Sequence, residues 1–207
     1  MLPESVRKEI ITIIKQEVTL AIGCTEPIAV ALAVAKLTEL LRSVPDRIDV
    51  FLSANVLKNA MGVGIPGTGM VGLPIAIALG ALAGKSEYGL EVLKDITPAD
   101  VENGKLLVAK KIIGIHLKDD IDEKLYIEVV GSKNQDVART IISGEHTRFV
   151  FLELNQEILL NLCEDKTTES EADQYELSFD KVCEFAIETP IDEIRFIKKT
   201  VEVNKAA

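Results

Sequence analysis

The chain has 207 residues, 47% of them hydrophobic and 27% charged, a composition typical of a soluble globular protein with one or two domains. Its net charge of −10 argues against nucleic acid or an anionic membrane as a partner, because both bind clustered Lys and Arg. The N-terminus, MLPESVRKEI, carries no secretory signal, and the longest apolar run, 70–84, is too short to span a bilayer. We therefore expect a cytoplasmic protein whose three cysteines are reduced.

The first half of the chain is predicted to be mainly helical. Apolar residues at spacings of three and four predict an amphipathic helix over residues 4–22, and a nearly continuous apolar segment from Pro27 to Leu41 predicts a buried helix. GCTEP, residues 23–27, forms the corner between them. The sequence then predicts a strand at 47–53, followed by a short helix, a glycine-rich loop and a second buried helix at 73–83.

The second half changes to a pattern of short strands after two further helices, which are predicted at 89–95 and 98–111. The strand segments are KIIGIHL, KLYIEVVG, DVARTIIS and TRFVFLEL. They predict a small, mostly antiparallel sheet with helix 98–111 on it. An exposed acidic loop at 163–176 is followed by two helical segments, FDKVCEFAIE and PIDEIRFIKKTVEV.

These elements predict an α+β fold in which buried helices surround the GCTEP corner and the glycine-rich loop, with the sheet beside them. We divide the chain into three regions. Residues 1–95 are helical and carry both motifs, residues 96–156 form an α+β subdomain, and residues 157–207 contain the acidic loop and the C-terminal helices.

Cys24 is the most reactive side chain that the sequence offers. A thiol at the N-terminal side of a helix experiences a positive potential, which lowers its pKa and favours the thiolate that ligates metals or attacks electrophiles. Glu26 opposes this effect, yet it can serve as a base or as a partner of the thiol. The alternative is a small buried core residue, since one cysteine does not make a metal site.

The glycine-rich loop satisfies G-x-G-x-x-G with Gly62, Gly64 and Gly67. A dinucleotide site is not favoured, because that fingerprint follows a strand and here a short helix precedes it. The loop instead offers free N–H groups at a helix N-terminus, which suit a small anion such as an amino-acid carboxylate. A tight packing corner between two buried helices explains the glycines equally well.

Two further sets of polar side chains accompany these motifs. Asn55, Lys58 and Asn59 share one helix face, where they can hold the carboxylate and amine of a ligand; the alternative is a helix cap and a solvated lysine. His146 and Thr147 lie in a predicted turn between two strands, where the histidine is either a proton shuttle or an ordinary surface residue.

Five segments, in this order, resemble the L-cysteine desulfidase family, whose members are similar to the alpha chain of bacterial iron–sulfur serine dehydratases. They are EVTLAIGCTEPIAVALA, LSANVLKNAMGVGIPGTGMVGLPIAIALGALAG, GLEVLKDIT, SGEHT and PIDEIRFI. GCTEP followed by N-x-x-K-N and G-x-x-x-P-G-T-G is the specific part of the resemblance. It covers nearly the whole chain and is loosest between about residues 112 and 175.

The resemblance implies a [4Fe–4S] lyase, independent of pyridoxal phosphate, that converts L-cysteine to pyruvate, ammonia and sulfide by β-elimination, with L-serine as the alternative substrate. An open iron would act as a Lewis acid while a base removes the Cα proton. By position, Cys24 corresponds to a cluster ligand, and the candidate bases are Glu26, Lys58 and His146. The positions implied for substrate binding are Thr25, Asn55, Asn59, Gly67, Thr68, Gly69 and Thr147.

The remaining cluster cysteines of that family lie in a C-terminal half with no counterpart in this chain. The resemblance therefore implies an N-terminal half that is completed by a second copy or by a separate C-terminal-half chain. We expect the apolar contact surface on helices 27–41 and 71–83. The alternative function is a non-catalytic domain that binds an amino acid or supports assembly and has no cluster.

Overall fold

The computed structural model describes residues 2–18, 21, 23–162 and 177–206. Contacts group the chain into a larger unit, residues 20–165, and a smaller unit made of residues 1–19 and 166–207. The predicted acidic loop at 163–176 lies outside the described residues.

The described elements confirm the α+β class. The helices are α1 (Glu4–Glu17), α2 (Thr25–Leu41), α3 (Ala54–Ala60), α4 (Leu73–Ala83), α5 (Pro98–Ala109), α6 (Phe179–Glu188), α7 (Ile191–Ile194) and α8 (Lys198–Ala206), with 3-10 turns at Ser86–Glu91 and Arg195–Ile197. The strands are β1 (Arg47–Leu52), β2 (Gly64–Ile65), β3 (Met70–Val71), β4 (Ile113–Leu117), β5 (Tyr126–Lys133), β6 (Asp136–Ser143), β7 (Phe149–Leu154) and β8 (Glu157–Asn161).

Six strands form one mixed sheet in the order β4-β1-β5-β6-β7-β8. β1 pairs in parallel with β4 and antiparallel with β5, and the remaining neighbours are antiparallel. The sheet therefore joins β1, from the first predicted region, to strands of the second and third. This connection does not follow the predicted boundaries at residues 95 and 156, both of which fall inside the larger unit.

Helix α2 forms the centre of the larger unit. Residues 28–35 are each at most 1% exposed, because one side of the helix packs on β5 and β6 while another packs on α4. The buried hydroxyl of Thr140 on β6 donates a hydrogen bond to the carbonyl of Ala33 at 3.1 Å. Gly131 on β5 leaves room for Leu37, since a Cβ atom at position 131 would lie 2.6 Å from Cδ2 of Leu37.

The structure corrects two predictions about the sheet. The helix that covers it is α2, whereas α5 packs against α4, because α2 is apolar on all sides and α5 buries only a narrow stripe. The predicted helix at 89–95 is instead a 3-10 turn followed by further turns, since Gly89 has φ +54° and interrupts regular helix geometry. Strand β8 and the small hairpin of β2 and β3 were not predicted.

The smaller unit has its own apolar cluster, formed by Leu2, Ile10 and Phe185. Arg7 on α1 donates two hydrogen bonds of 3.0 Å to the carboxylate of Glu193 on α7. The first helix ends at residue 17, earlier than the predicted residue 22. The predicted single helix over 190–203 is divided into α7, a 3-10 turn and α8.

The predicted apolar contact surface on helices 27–41 and 71–83 is wrong. In α4, residues 75–79 are at most 1% exposed and Gly80 is buried. Helix α2 is buried between α4 and the sheet, so the two helices cover each other within the larger unit. In the described part of the chain, no helix is long and apolar enough to cross a membrane.

Replacing Gly80 tests the close contact between α4 and α2. A Cβ atom at Gly80 would lie 2.5 Å from the carbonyl oxygen of Ala31, a backbone atom that cannot move aside freely. We expect Gly80→Ala to lower the free energy of unfolding by about 1–3 kcal/mol, despite the higher helix propensity of alanine. Urea denaturation monitored by circular dichroism measures this change.

Gly104→Ala is the matched control, because Gly104 also lies inside a helix but faces only the flexible ends of Ile75 and Leu79, at 3.0 and 3.3 Å. Equal stability changes for the two variants would contradict the close backbone contact.

Candidate functional site

The GCTEP corner is the start of α2. Cys24 is the N-cap residue in an extended conformation, and Thr25, Glu26 and Pro27 form the first turn, as the position of the proline predicts. Gly23 has φ +86°, and a Cβ atom there would lie 2.7 Å from Cγ of Pro66. The absence of a side chain at Gly23 therefore lets the glycine-rich loop pack against the backbone next to Cys24.

The carboxylate of Glu26 is the hydrogen-bond acceptor at this corner. Oε2 accepts from Sγ of Cys24 at 3.0 Å and from the hydroxyl of Thr25 at 3.2 Å. Oε1 accepts from Nδ2 of Asn59 on α3 at 3.0 Å. Four of the predicted site residues are thus brought together, and one of them comes from a separate helix.

The electrostatics of the corner differ from the prediction for Cys24. The hydrogen bond from Cys24, with those from Asn59 and Thr25, outweighs burial and lowers the pKa of Glu26. Burial raises the pKa of Cys24, and the hydrogen bond to Glu26 and its negative charge raise it further. The direction for Cys24 is thus opposite to the prediction that the helix end lowers its pKa.

Helix α3 carries the predicted polar residues, but their contacts differ from one residue to the next. Its N-cap is Ser53, whose hydroxyl accepts from the N–H of Val56 and donates to the carbonyl of Lys124 at 2.8 Å. Asn55 and Lys58 are exposed. Within the described residues, Asn59 is the member of this face that bonds to Glu26.

The glycine-rich loop is the hairpin of β2 and β3. Pro66 and Gly67 occupy the centre of a tight turn that the N–H of Thr68 closes on the carbonyl of Ile65 at 3.2 Å, and Gly67 has φ +75°. The buried hydroxyl of Thr68 donates to the same carbonyl at 2.6 Å and accepts from the N–H of Met70 at 3.0 Å. The hydroxyl of Thr68 is thus used within the hairpin. Gly69, which has a positive φ, belongs to the same turn.

His146 and Thr147 lie in the turn between β6 and β7, as predicted. Arg148 closes this turn with an N–H bond to the carbonyl of Glu145 at 3.3 Å, and the methyl group of Thr147 lies near Gly89. In the parts of the chain that the structure describes, neither His146 nor Lys58 hydrogen-bonds to the carboxylate of Glu26.

A second buried carboxylate, Glu128 on β5, was not predicted. It is 4% exposed and accepts hydrogen bonds from Lys118 at 2.7 Å and Tyr126 at 3.0 Å, and it pairs with Arg139 at 2.7 Å. Burial opposes its ionisation, but these neighbours outweigh burial and lower its pKa. Both carboxylate oxygens of Glu128 are thus engaged by neighbouring side chains. The alternation of KLYIEVV, which places Tyr126 and Glu128 on one strand face, is the signal for this pair.

The GCTEP corner contains one thiol, that of Cys24, as a candidate metal ligand. Among the described residues, no group of three or more His, Cys, Asp or Glu side chains is arranged to hold a metal ion. Cys183 is a free thiol on α6 in the smaller unit, and Cys163 lies outside the described residues. The described residues therefore fit one ligand of an iron–sulfur cluster and do not fit a complete binding site.

The chain is similar to proteins named UPF0597 protein from several bacteria. It is 59% identical over 204 residues to that of Bacteroides fragilis, covering 99% of this chain and 48% of the relative. Identity to the Aeromonas hydrophila protein is 41% over 201 residues, covering 96% of this chain and 46% of the relative. The chain thus spans about half the length of the curated relatives it matches. No protein-family model and no solved structure matches it.

The hydrogen bond between Cys24 and Glu26 can be tested through the reactivity of the thiol. Glu26→Gln removes the negative charge that raises the pKa of Cys24, so we expect the midpoint of its alkylation-against-pH profile to move to lower pH. Iodoacetamide labelling followed by peptide mass spectrometry separates Cys24 from the other two cysteines.

Asn55→Ala is the control for this experiment, since Asn55 is exposed on the same helix as Asn59 but is not a partner of Glu26. A profile that Glu26→Gln leaves unchanged or moves to higher pH would contradict the assigned contact.

Proposed function

We propose that the GCTEP corner forms one wall of an iron–sulfur lyase site that acts on L-cysteine, with L-serine as the alternative substrate. The observation that supports this proposal most directly is the contact of a thiol with a carboxylate acceptor at the start of a buried helix, at 3.0 Å. The sequence resemblance to L-cysteine desulfidases supplies the reaction class.

The reaction is a β-elimination. A base removes the Cα proton of L-cysteine while the bond between Cβ and sulfur breaks and hydrosulfide departs, leaving 2-aminoacrylate. Water then converts aminoacrylate, through its imine, to pyruvate and ammonia. A bound [4Fe–4S] cluster would supply the Lewis acidity that favours departure of the sulfur.

Cys24 is the proposed cluster ligand in this chain. A cysteine ligates as the thiolate, and burial with the neighbouring Glu26 raises the pKa of Cys24, so ligation releases a proton. Oε2 of Glu26 already accepts the hydrogen bond of that thiol and is the nearest proton acceptor shown. Thr25 and Asn59 hold the carboxylate in this orientation.

The cluster needs further ligands from outside the described residues, because the corner offers one thiol. We propose that they come from a polypeptide that corresponds to the remaining half of the longer relatives, or from a second copy of this chain. Such a centre requires a reducing compartment, and we infer the cytoplasm.

The base and the substrate-side wall follow the resemblance. Lys58, which is exposed on α3 next to Asn59, and His146, in the turn between β6 and β7, remain candidate bases beside Glu26. The lowered pKa of Glu26 keeps it ionised near neutral pH but makes it a weak base. We propose that Asn55, the hairpin turn around Gly67 and Thr147 face the substrate.

Reconstitution with iron tests the proposal. The chain, alone and together with the complementary half of the Bacteroides fragilis relative, is treated anaerobically with iron and sulfide and then supplied with L-cysteine. We expect the pair to retain iron and to release sulfide and pyruvate, and Cys24→Ala to reduce both signals to background. Cys183→Ala is the matched control and is expected to keep both, because Cys183 is a free thiol outside the segments that the resemblance matches to cluster ligands.

Iron retention separates the proposal from its alternative, a module that binds an amino acid without a cluster. If the completed pair holds no iron, the module gains support and the lyase proposal is rejected. If the chain alone is active and Cys24→Ala inactivates it, the lyase assignment holds and the need for a second polypeptide is rejected.

A further inference from the structure

A small cavity of about 210 Å³ lies beside the GCTEP corner in the larger unit. Its inner wall is made by Ile28 of α2, Ile65 of β2 and Leu93, which are 1%, 3% and 4% exposed and belong to the main core. Drug-sized ligands occupy pockets of about 300–1,000 Å³, so this cavity suits a smaller molecule.

The hairpin turn forms the second wall and is fixed on both sides. Pro66 lies against the backbone of Gly23, and Gly67 lies against the side chain of Ile96, since a Cβ atom at Gly67 would be 3.6 Å from Cδ1 of Ile96. The turn itself is closed by the hydrogen bonds of Thr68. These contacts preform the cavity, so a ligand would not have to order its walls.

Lys94 is the charged residue among those that line the cavity. Its ammonium lies 3.6 Å from the centre of the Tyr88 ring, which holds it by a cation–π contact. The carboxylate of the neighbouring Asp95 is bound by Lys85 at 2.6 Å, and Lys94 forms no ion pair within the described residues. The cavity therefore combines apolar walls with a lysine whose ammonium forms no ion pair in the part of the chain that the structure describes.

We propose that this cavity binds a short aliphatic carboxylate, with the hydrocarbon chain against Ile28, Ile65 and Leu93 and the carboxylate directed to Lys94. The walls explain the preference for an aliphatic body, and the lysine explains the preference for an anion over a cation or a neutral molecule. This site does not use the hydrogen bonds of Glu26, and it shares the hairpin turn around Gly67 with the proposed lyase site; carboxylate binding in the cavity is measured without the lyase reaction.

Isovalerate is the probe for the test, with isopentylamine and 3-methylbutanol as the cationic and neutral molecules of the same carbon skeleton. Binding to the full chain is measured by ligand-observed NMR with titration. We expect isovalerate to bind with a Kd of about 1 mM or tighter, and both comparison molecules to bind at least about tenfold more weakly. Lys94→Met should weaken isovalerate by about tenfold, and Lys94→Arg should restore most of the affinity.

Lys105→Met is the control, because Lys105 is an exposed lysine of the same unit that pairs with Glu102 and does not line the cavity. Ile96→Phe fills part of the cavity and should abolish binding, and thermal unfolding shows whether each variant remains folded. The proposal is overturned if isovalerate does not bind, if 3-methylbutanol binds equally well, or if Lys105→Met and Lys94→Met have the same effect.

Discussion

The burial of α2 on both of its sides is the constraint on which the larger unit depends. A helix that is apolar all round is stable in water only when other elements cover it completely. The sheet covers one side, where Thr140 bonds to the carbonyl of Ala33, and α4 covers another, where Gly80 meets the backbone of Ala31. Because the helix is held along its length, its first turn has a fixed position, and the side chains of the GCTEP corner are held with it.

At that first turn two acidic groups share one positive helix end. A carboxylic acid ionises near pH 4 and a thiol near pH 8.5, so the carboxyl group takes the negative charge and the thiol keeps its proton. The contacts agree with this distribution, since Glu26 accepts hydrogen bonds from Cys24, Thr25 and Asn59. Metal ligation by Cys24 as a thiolate releases its proton, and Glu26 is a weak acceptor for that proton because its own pKa is lowered.

The sequence predicted those features that local patterns determine. The apolar run after Pro27 located α2, the alternation in DVARTIIS located β6, and Pro27 was correctly placed in the first turn of a helix. The pairing of β1 between β4 and β5 was not predictable, because it joins segments separated by more than sixty residues and depends on which strands the buried helix brings together. The bond between Asn59 and Glu26 was missed for the same reason.

The pKa of Cys24 was predicted in the wrong direction for a different reason. The helix position was correct, but sequence spacing does not show that Oε2 of Glu26 lies 3.0 Å from Sγ. Burial, the hydrogen bond to Glu26 and the charge of Glu26 together outweigh the backbone N–H groups of Thr25 and Glu26 and raise the pKa of Cys24. The identity of the residues at the corner was thus predictable, whereas its protonation state required the geometry.

One backbone contact connects the corner with the cavity. Pro66 contributes a wall of the cavity and also lies against Gly23, next to Cys24. A residue with a side chain at position 23 must displace the proline and would also be strained at φ +86°. Lys94 lines the cavity without contacting Gly23, and the hydrogen-bond partners of Glu26 do not line the cavity. Gly23 therefore links the corner to the cavity through its contact with Pro66.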